Sequence, residues 1–336
     1  MFNKNYKQSL VACTFFTSLL VALYISSISH VQAKGERWQN HQLFEQNKLP
    51  PHASFFAYTN LSQALKDDYR TSANFYDLNG RWQFHYAANP FSVPKDFAQI
   101  DANLDDWQSI QVPGNWETQG FGHAIYLDER YPFTTTWPDA PEEHNPTGSY
   151  RREIQLPQEW LDKQVFLHIG AARSALTIYV NGEEVGYSQG AKTPAEFDIT
   201  SYLNPGNNLL ALQIIRWSDA SYLESQDMLR VSGIERDVFL YATEKQRVSD
   251  IDAEYQLSKN LDKANINLKL KLENHNPSQA SNQGYQLSYQ LLSAQGKTVS
   301  QGARTLAVIN KQQLEKIDFT VTGPQLWSAE TPHLYQ

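Results

Sequence analysis

Cysteine is almost missing from this sequence: one residue of 336, Cys13, is a cysteine. Cys13 lies in a leader-like segment, so the remainder has no disulfide and no thiolate metal site. The nine histidines form no tight cluster at ligand spacing. There is no G-x-x-x-x-G-K-[ST] phosphate loop and no G-x-S-x-G nucleophile elbow. Basic charge is also scarce. The net charge is −8; without residues 1–33, which hold Lys4 and Lys7 and no acid, 26 basic residues face 36 acidic ones. That balance argues against a nucleic-acid partner, because phosphate binding draws on basic surface. No long helical pattern competes with the strand patterns described below.

What is present suits a folded chain of about two domains. Hydrophobic residues make up 41% and charged residues 19%, enough apolar material to bury real cores. Aromatics reach 12%. They can stack on sugar faces, but filling β-sheet cores is their commoner use. Residues 1–33 read as a secretory signal. Lys4 and Lys7 supply a positive start, Ser9 to Ile28 is mostly apolar, and Val31-Gln32-Ala33 offers a small-residue cleavage site. The product expected is secreted or periplasmic, with no membrane association once the signal is removed. The competing reading is an uncleaved anchor, since the apolar run approaches the roughly 20 residues that span a bilayer. Leu10-Val11-Ala12-Cys13 resembles a lipoprotein box but precedes the apolar run that should come before its cysteine.

From Trp38 to Tyr58 the chain is polar and proline-containing, as expected of an extended arm laid over a first domain. Leu61 to Ala73 reads as a short helix or an irregular loop. Residues 34–247 then read as one β-domain with that arm. Asp77 to Tyr86 reads as a turn followed by an aromatic strand, and Ser109 to Val112 is a strand candidate. Val165 to Ile169 and Leu176 to Val180 alternate as half-buried strands do. Asn181-Gly182 is a hairpin turn signal, and Leu209 to Ile215 is a fully apolar strand. Many short strands with regular turns indicate a sandwich, a jelly roll or a barrel. Residues 248–336 read as a second, smaller sandwich of immunoglobulin-like type. Ile266, Leu268, Leu270 and Leu272 alternate with polar residues, as do Tyr285 to Leu291 and Ile317 to Val321.

Two stretches stand apart. Arg216 to Asp237, RWSDASYLESQDMLRVSGIERD, sets Asp219, Glu224, Asp227, Glu235 and Asp237 beside Arg216, Arg230 and Arg236. A loop of this length inside a β-region is uncommon unless it is functional or disordered, and its Trp, Tyr, Leu and Ile content argues against disorder. On composition two readings remain open. It carries acceptor groups to a polar ligand, or it is a packed loop whose carboxylates and arginines pair with each other. Val112 to Phe133, VPGNWETQGFGHAIYLDERYPF, is a Gly-, Pro- and aromatic-rich loop; its composition suits a sugar but favours a structural connection with buried aromatics.

The motifs in these stretches resemble those of the large bacterial β-galactosidases of glycoside hydrolase family 2. SYLE, QDM and SGI-x-RDV occur in the family's order at Ser221, Gln226 and Ser232. Val112-Pro113, Asn115-Trp116, Ile125-Tyr126, Tyr131-Pro132, the NPTG-x-Y segment from Asn145, RWSD at Arg216, EFD at Glu196 and LWSAE-x-P-x-LY from Leu326 also match. The resemblance covers nearly everything from Trp38 to Tyr335. It implies an all-β chain, a jelly-roll sugar-binding sandwich followed by an immunoglobulin-like sandwich that stops short of its last strand. It implies that Asp227 binds sodium and the galactose 6-hydroxyl region. Asp128 stands where the family has a galactose-contacting asparagine, and a carboxylate cannot donate the amide N–H. Leu229 stands where an aromatic residue is frequent.

The family's acid/base and nucleophile glutamates, about 5–5.5 Å apart in a retaining enzyme, sit on a (β/α)8 barrel together with its magnesium ligands. That barrel is absent from these 336 residues. The resemblance therefore implies the N-terminal part of a retaining β-galactosidase that uses Mg2+ and Na+ on a β-galactoside substrate, with no catalytic residue in this chain and no activity of its own. Glu224 and Asp227 belong to a family loop and are no catalytic dyad. The alternatives are a β-glucuronidase or β-mannosidase of the same family and a non-catalytic carbohydrate-binding protein. Homo-oligomerisation is left open.

Overall fold

The computed structural model describes residues 35–128, 130–276, 284–306 and 311–336. The segment 1–33 expected to be a secretory signal lies outside the described residues. Among the described residues no helix is long and apolar enough to cross a membrane.

The chain is all-β, with every named strand pair antiparallel. A seven-stranded sheet runs, in spatial order, Glu45–Gln46, Glu183–Ser188, Ala175–Val180, Asn207–Ile215, Thr147–Gln155, Gly80–Ala87 and Gln108–Val112. A four-stranded sheet runs Ala195–Asp198, Gln164–Ile169, Val238–Thr243 and Phe75–Asp77. Inward side chains from both sheets, among them Trp82, Phe84, Tyr150, Leu167, Phe197, Leu212 and Leu240, form one core. The Asn181-Gly182 turn closes the expected hairpin. Both residues take positive φ, 52° and 88°, and Val180 pairs with Glu183 across them.

Two strands expected to be half-buried are buried on both faces. In Gln164–Ile169 and Ala175–Val180 one residue each, His168 and Tyr179, keeps partial exposure. The reason is cover from sequence-distant segments. Val93, Phe97 and Ala98 pack over the outer face of the large sheet beside Tyr179, and Phe97 meets Tyr179 edge-on at 5.2 Å. Over the small sheet, Phe56 and Tyr69 of the arm region pack on Tyr241 and Phe239. A single face pattern predicts exposure only for a face that nothing else covers.

The arm is more than a cover. Its Glu45–Gln46 strand extends the large sheet at Ser188 and Tyr187, and Trp38 is buried beside Tyr187 and Trp217. Leu61–Lys66 is helical. Asn60 caps its start by accepting from the Gln63 N–H at 3.0 Å, and Asp67 ends it in the left-handed region.

Beyond residue 245 the strands Gln246–Leu257, Lys263–Asn274 and Gln312–Thr322 form one sheet, and Tyr285–Leu292 pairs with Thr298–Leu306. Leu270, Leu272, Leu306 and Ile317 fill the space between. At the end of the chain Tyr335 bridges to Ser293, and Leu292 and Gln336 exchange both backbone hydrogen bonds at 2.6 and 2.9 Å.

Candidate functional site

The two stretches singled out in the sequence meet at one end of the large sandwich. Leu229–Arg230 pairs with Ile125–Tyr126, and Gly233–Ile234 pairs with Gly114–Asn115. A third segment, Ala172–Arg173, adds to Gly233–Ile234 on its other side; nothing in the sequence pattern marked it. The long loop is therefore not structureless. Short ribbons pin it in two places to chain more than 100 residues earlier.

These ribbons set Asp227 at the surface with its Oδ1 accepting from the Tyr126 hydroxyl at 2.7 Å. Tyr126 is 61% exposed, and Asp227 is exposed as well. The Ile125-Tyr126 motif by itself gives Tyr126 no role; its contact with Asp227 does. Asp128 follows directly, exposed, where the chain bends after Leu127. The Leu127 carbonyl is held from behind by Arg230 at 3.3 Å. Both predicted residues thus belong to one surface.

Glu224 does not. Its Oε1 accepts from the Ala191 N–H at 2.7 Å, and burial pushes its carboxyl above the usual range. It is turned into the fold and makes no dyad with Asp227.

The expectation that acids and arginines of the long loop pair with each other is wrong in detail. The acids find partners elsewhere. Asp219 accepts from Gln189 at 2.8 Å, Glu235 pairs with Lys192, and Asp237 pairs with Arg70 and accepts from Asn79. The arginines are structural and mostly bind backbone. Arg230, 1% exposed, donates to the carbonyls of Leu127 and Glu224. Arg173 donates to the Glu224 carbonyl and to the Met228 sulfur. Arg216 donates to the carbonyls of His123 and Arg230. Burial, with Arg173 nearby, lowers the pKa of Arg230, and burial lowers that of Arg216. Buried guanidinium groups suit this work because one fork of donors can satisfy several loop carbonyls at once.

Aromatic packing rigidifies the same end. Tyr222 is buried, stacked under Trp137 at 4.3 Å, and Tyr131 donates to its carbonyl at 3.0 Å. Asn145 clasps Trp217 in both directions at 2.8 Å, accepting from its N–H and donating to its carbonyl. Ser221 caps the loop's short turn by accepting from the Ser218 N–H at 3.0 Å.

Among the described residues no group of three or more His, Cys, Asp or Glu could hold a metal ion. Asp227 and Tyr126 offer two hard oxygens, which fits a share of a sodium site but not a whole one.

A sandwich with this end loop matches known models. Residues 75–244 match the model of the glycosyl hydrolases family 2 sugar binding domain, and residues 246–336 match a second glycosyl hydrolases family 2 model. The chain belongs to glycoside hydrolase family 2. The β-galactosidase of Priestia megaterium is 35% identical over 304 residues, and that of Pectobacterium atrosepticum 36% over 307. Each match covers 89% of this chain and 29% of the relative, so the chain spans less than a third of the length of these relatives. Among solved structures, a calcium-binding mutant of Bacteroides uniformis beta-glucuronidase 2 superposes with a TM-score of 0.62 at 25% identity, covering 78% of this chain and 29% of that one. This family 2 chain corresponds to the sugar-binding and immunoglobulin-like domains of its relatives. Among the described residues there is no (β/α)8 barrel.

Proposed function

We propose that these residues serve as the N-terminal, non-catalytic part of an exported β-galactosidase that removes terminal β-galactose with retention. Their two-loop end forms one wall of the galactose site, with Asp227 and Asp128 as substrate-facing groups. The observation that carries this reading is the bond between Tyr126 and Asp227. It joins two motif loops 101 residues apart into one outward-facing polar surface. The similarity to curated β-galactosidases at about 35% identity supports the substrate.

Asp227, with Tyr126 beside it, is the group proposed to take part in holding sodium near the sugar's 6-hydroxyl. Such an ion would supply positive charge to a sugar oxygen. The chain's own contribution is a carboxylate that accepts from a hydroxyl and a rigid loop that keeps it there. Magnesium and both catalytic glutamates are assigned to residues outside this chain.

A β-glucuronidase is the competing reading, because the superposable structure named above bears that name. Asp227 argues against it. A glucuronide carries a carboxylate where galactose has its 6-hydroxyl, and two like charges there repel. The test compares chromogenic β-galactoside, β-glucuronide and β-mannoside with the protein extended through a barrel and with these 336 residues alone. Turnover of the galactoside by the extended form only is expected. Preference for the glucuronide would overturn the substrate. Turnover by the 336 residues that tracks the protein through repurification would overturn the division of labour.

A further inference from the structure

On the outer face of the small sheet, Glu196 gathers two histidines from different parts of the fold. Its Oε2 lies 2.8 Å from Nε2 of His52, on the arm, and accepts from the Tyr241 hydroxyl at 2.8 Å. Its Oε1 lies 2.6 Å from Nδ1 of His168 on the Gln164–Ile169 strand. The Glu196 carbonyl also accepts from the Leu49 N–H at 2.8 Å, so one residue holds the arm through both backbone and side chain. A cavity of about 640 Å³ lies beside this cluster.

The hydrogen-bond partners of His52 decide its charge. Nδ1 lies 2.8 Å from the Ala53 carbonyl and Nε2 faces the Glu196 carboxylate. Both partners accept and neither can donate. A neutral imidazole has one N–H and so can serve only one of them; the imidazolium serves both. His168 differs, since a single N–H toward Glu196 satisfies its contact, and its ring stacks on Phe239 at 4.3 Å.

We propose that Glu196 and His52 form a protonation-dependent latch that fastens the arm to the small sheet and to the start of the second sandwich. With the proton on, His52 bonds both acceptors. Loss of the proton forces one bond to break, and the segment from Lys48 to Phe56 loosens. The second sandwich shares in the effect, because the Ala53 N–H donates to Asp250 of the Gln246–Leu257 strand at 2.9 Å.

The surrounding charges leave His52 as the titrating element. On the arm side Lys48 pairs with Glu45 at 3.0 Å, and Asp67 accepts from Tyr58. On the second sandwich Arg247 pairs with Glu273 at 3.1 Å and lies over the Phe166 ring. The bond to Glu196 outweighs burial and the smaller effect of Arg247, both of which work against the imidazolium, and raises the His52 pKa above its ordinary value. The bonds from His168, His52 and Tyr241 outweigh burial and hold the Glu196 carboxyl well below the usual range. The sign follows for each partner. A raised histidine contributes stability below its unfolded pKa and loses it as pH rises through the folded one. A depressed carboxylate contributes above its unfolded pKa and loses it in acid. The latch is therefore closed in mildly acidic solution and opens on the alkaline side.

The test uses the full 336-residue chain. Trypsin cleavage after Lys48 is followed from pH 6 to pH 9, normalised to a free peptide of the same sequence. Between the ordinary histidine value and the raised value of the closed arm, cleavage should rise by up to about tenfold for each unit of pH, and it should level off above that raised value, where His52 has lost its proton in both states. In His52→Gln, whose amide donates without titrating, the normalised rate should be flat. A flat profile in the wild type, or the same rise in the variant, overturns the latch. Should the variant fail to fold, the imidazole titration of wild-type His52 by NMR decides. A pKa above the ordinary value that falls back in Glu196→Gln upholds the latch, and one at or below it refutes it.

Discussion

Glu117 and Arg216 form an ion pair at 3.4 Å, with both side chains almost wholly removed from solvent. Glu117 comes from the first site loop and Arg216 from the second, and Glu117 also accepts from the Ser232 N–H at 2.9 Å. One carboxylate thus ties the first loop to both ends of the second. Removing one member of a buried pair leaves an unpaired charge in the interior, at a cost of about 3–5 kcal/mol. Arg216→Met should lower stability by that order, and adding Glu117→Gln should restore part of it. Chemical denaturation of the single and double variants checks this; a single variant as stable as wild type would remove the pair from the account.

Asp227→Asn keeps the shape of the side chain and removes its charge. The Asn145 clasp, the Ser221 cap and the arginine contacts of the loop remain, so the thermal melt should stay near wild type. In an active, extended form of the protein kcat/KM on a β-galactoside should fall by about ten- to hundredfold, the worth of a hydrogen bond to a charged group. Sodium dependence should weaken with it. Tyr126→Phe should give a smaller loss of the same kind. Asp128→Asn supplies an amide donor and should be tolerated with at most a modest change in KM. Unfolding by Asp227→Asn, or untouched kinetics, would assign the loop to structure alone.

Gly148 lies in the core strand where Trp116 and Phe84 cross it. A Cβ there would sit 2.5 Å from Trp116 Cζ2 and 2.7 Å from Phe84 Cε2. Trp116 is fixed, since its indole N–H donates to the buried Tyr150 hydroxyl. Gly148→Ala should therefore destabilise by about 1–3 kcal/mol or more through overpacking. Differential scanning calorimetry should show a drop of several degrees; an unchanged melt would mean that the rings can move apart freely.

Acid should weaken the second sandwich through Glu273. Its carboxyl bonds His275 and the Arg247 guanidinium, which hold it down at about 2. A depressed carboxylate contributes above its ordinary value near 4.5 and loses that contribution as pH falls toward about 2. Glu273→Gln should be less stable than wild type at neutral pH, and the gap should close across that window. Denaturation curves at pH 6, 4 and 2.5 measure it, and a gap independent of pH would show that the charge is immaterial.

The local text of the chain determined its class. Alternation around Leu270 and Tyr289, the Asn181-Gly182 turn and the apolar run at Leu209 depend on neighbours two to four residues apart, so strands and hairpin are legible without a structure. The ordered motifs at Val112, Asn145, Ser221 and Ser232 marked the two loops of the site. What the tertiary structure decided is which residues meet and which faces are covered. Tyr126 finds Asp227, Glu117 finds Arg216, and His52 finds Glu196 across 101, 99 and 144 positions. The alternation of Val165 to Ile169 predicts an outer face but cannot say that Arg247 lies over its Phe166. Nor does composition distinguish an arginine that pairs with a carboxylate from Arg230, buried and bound to carbonyls. Charge and polarity belong to a residue, whereas burial and partnership belong to the surroundings that the fold brings to it.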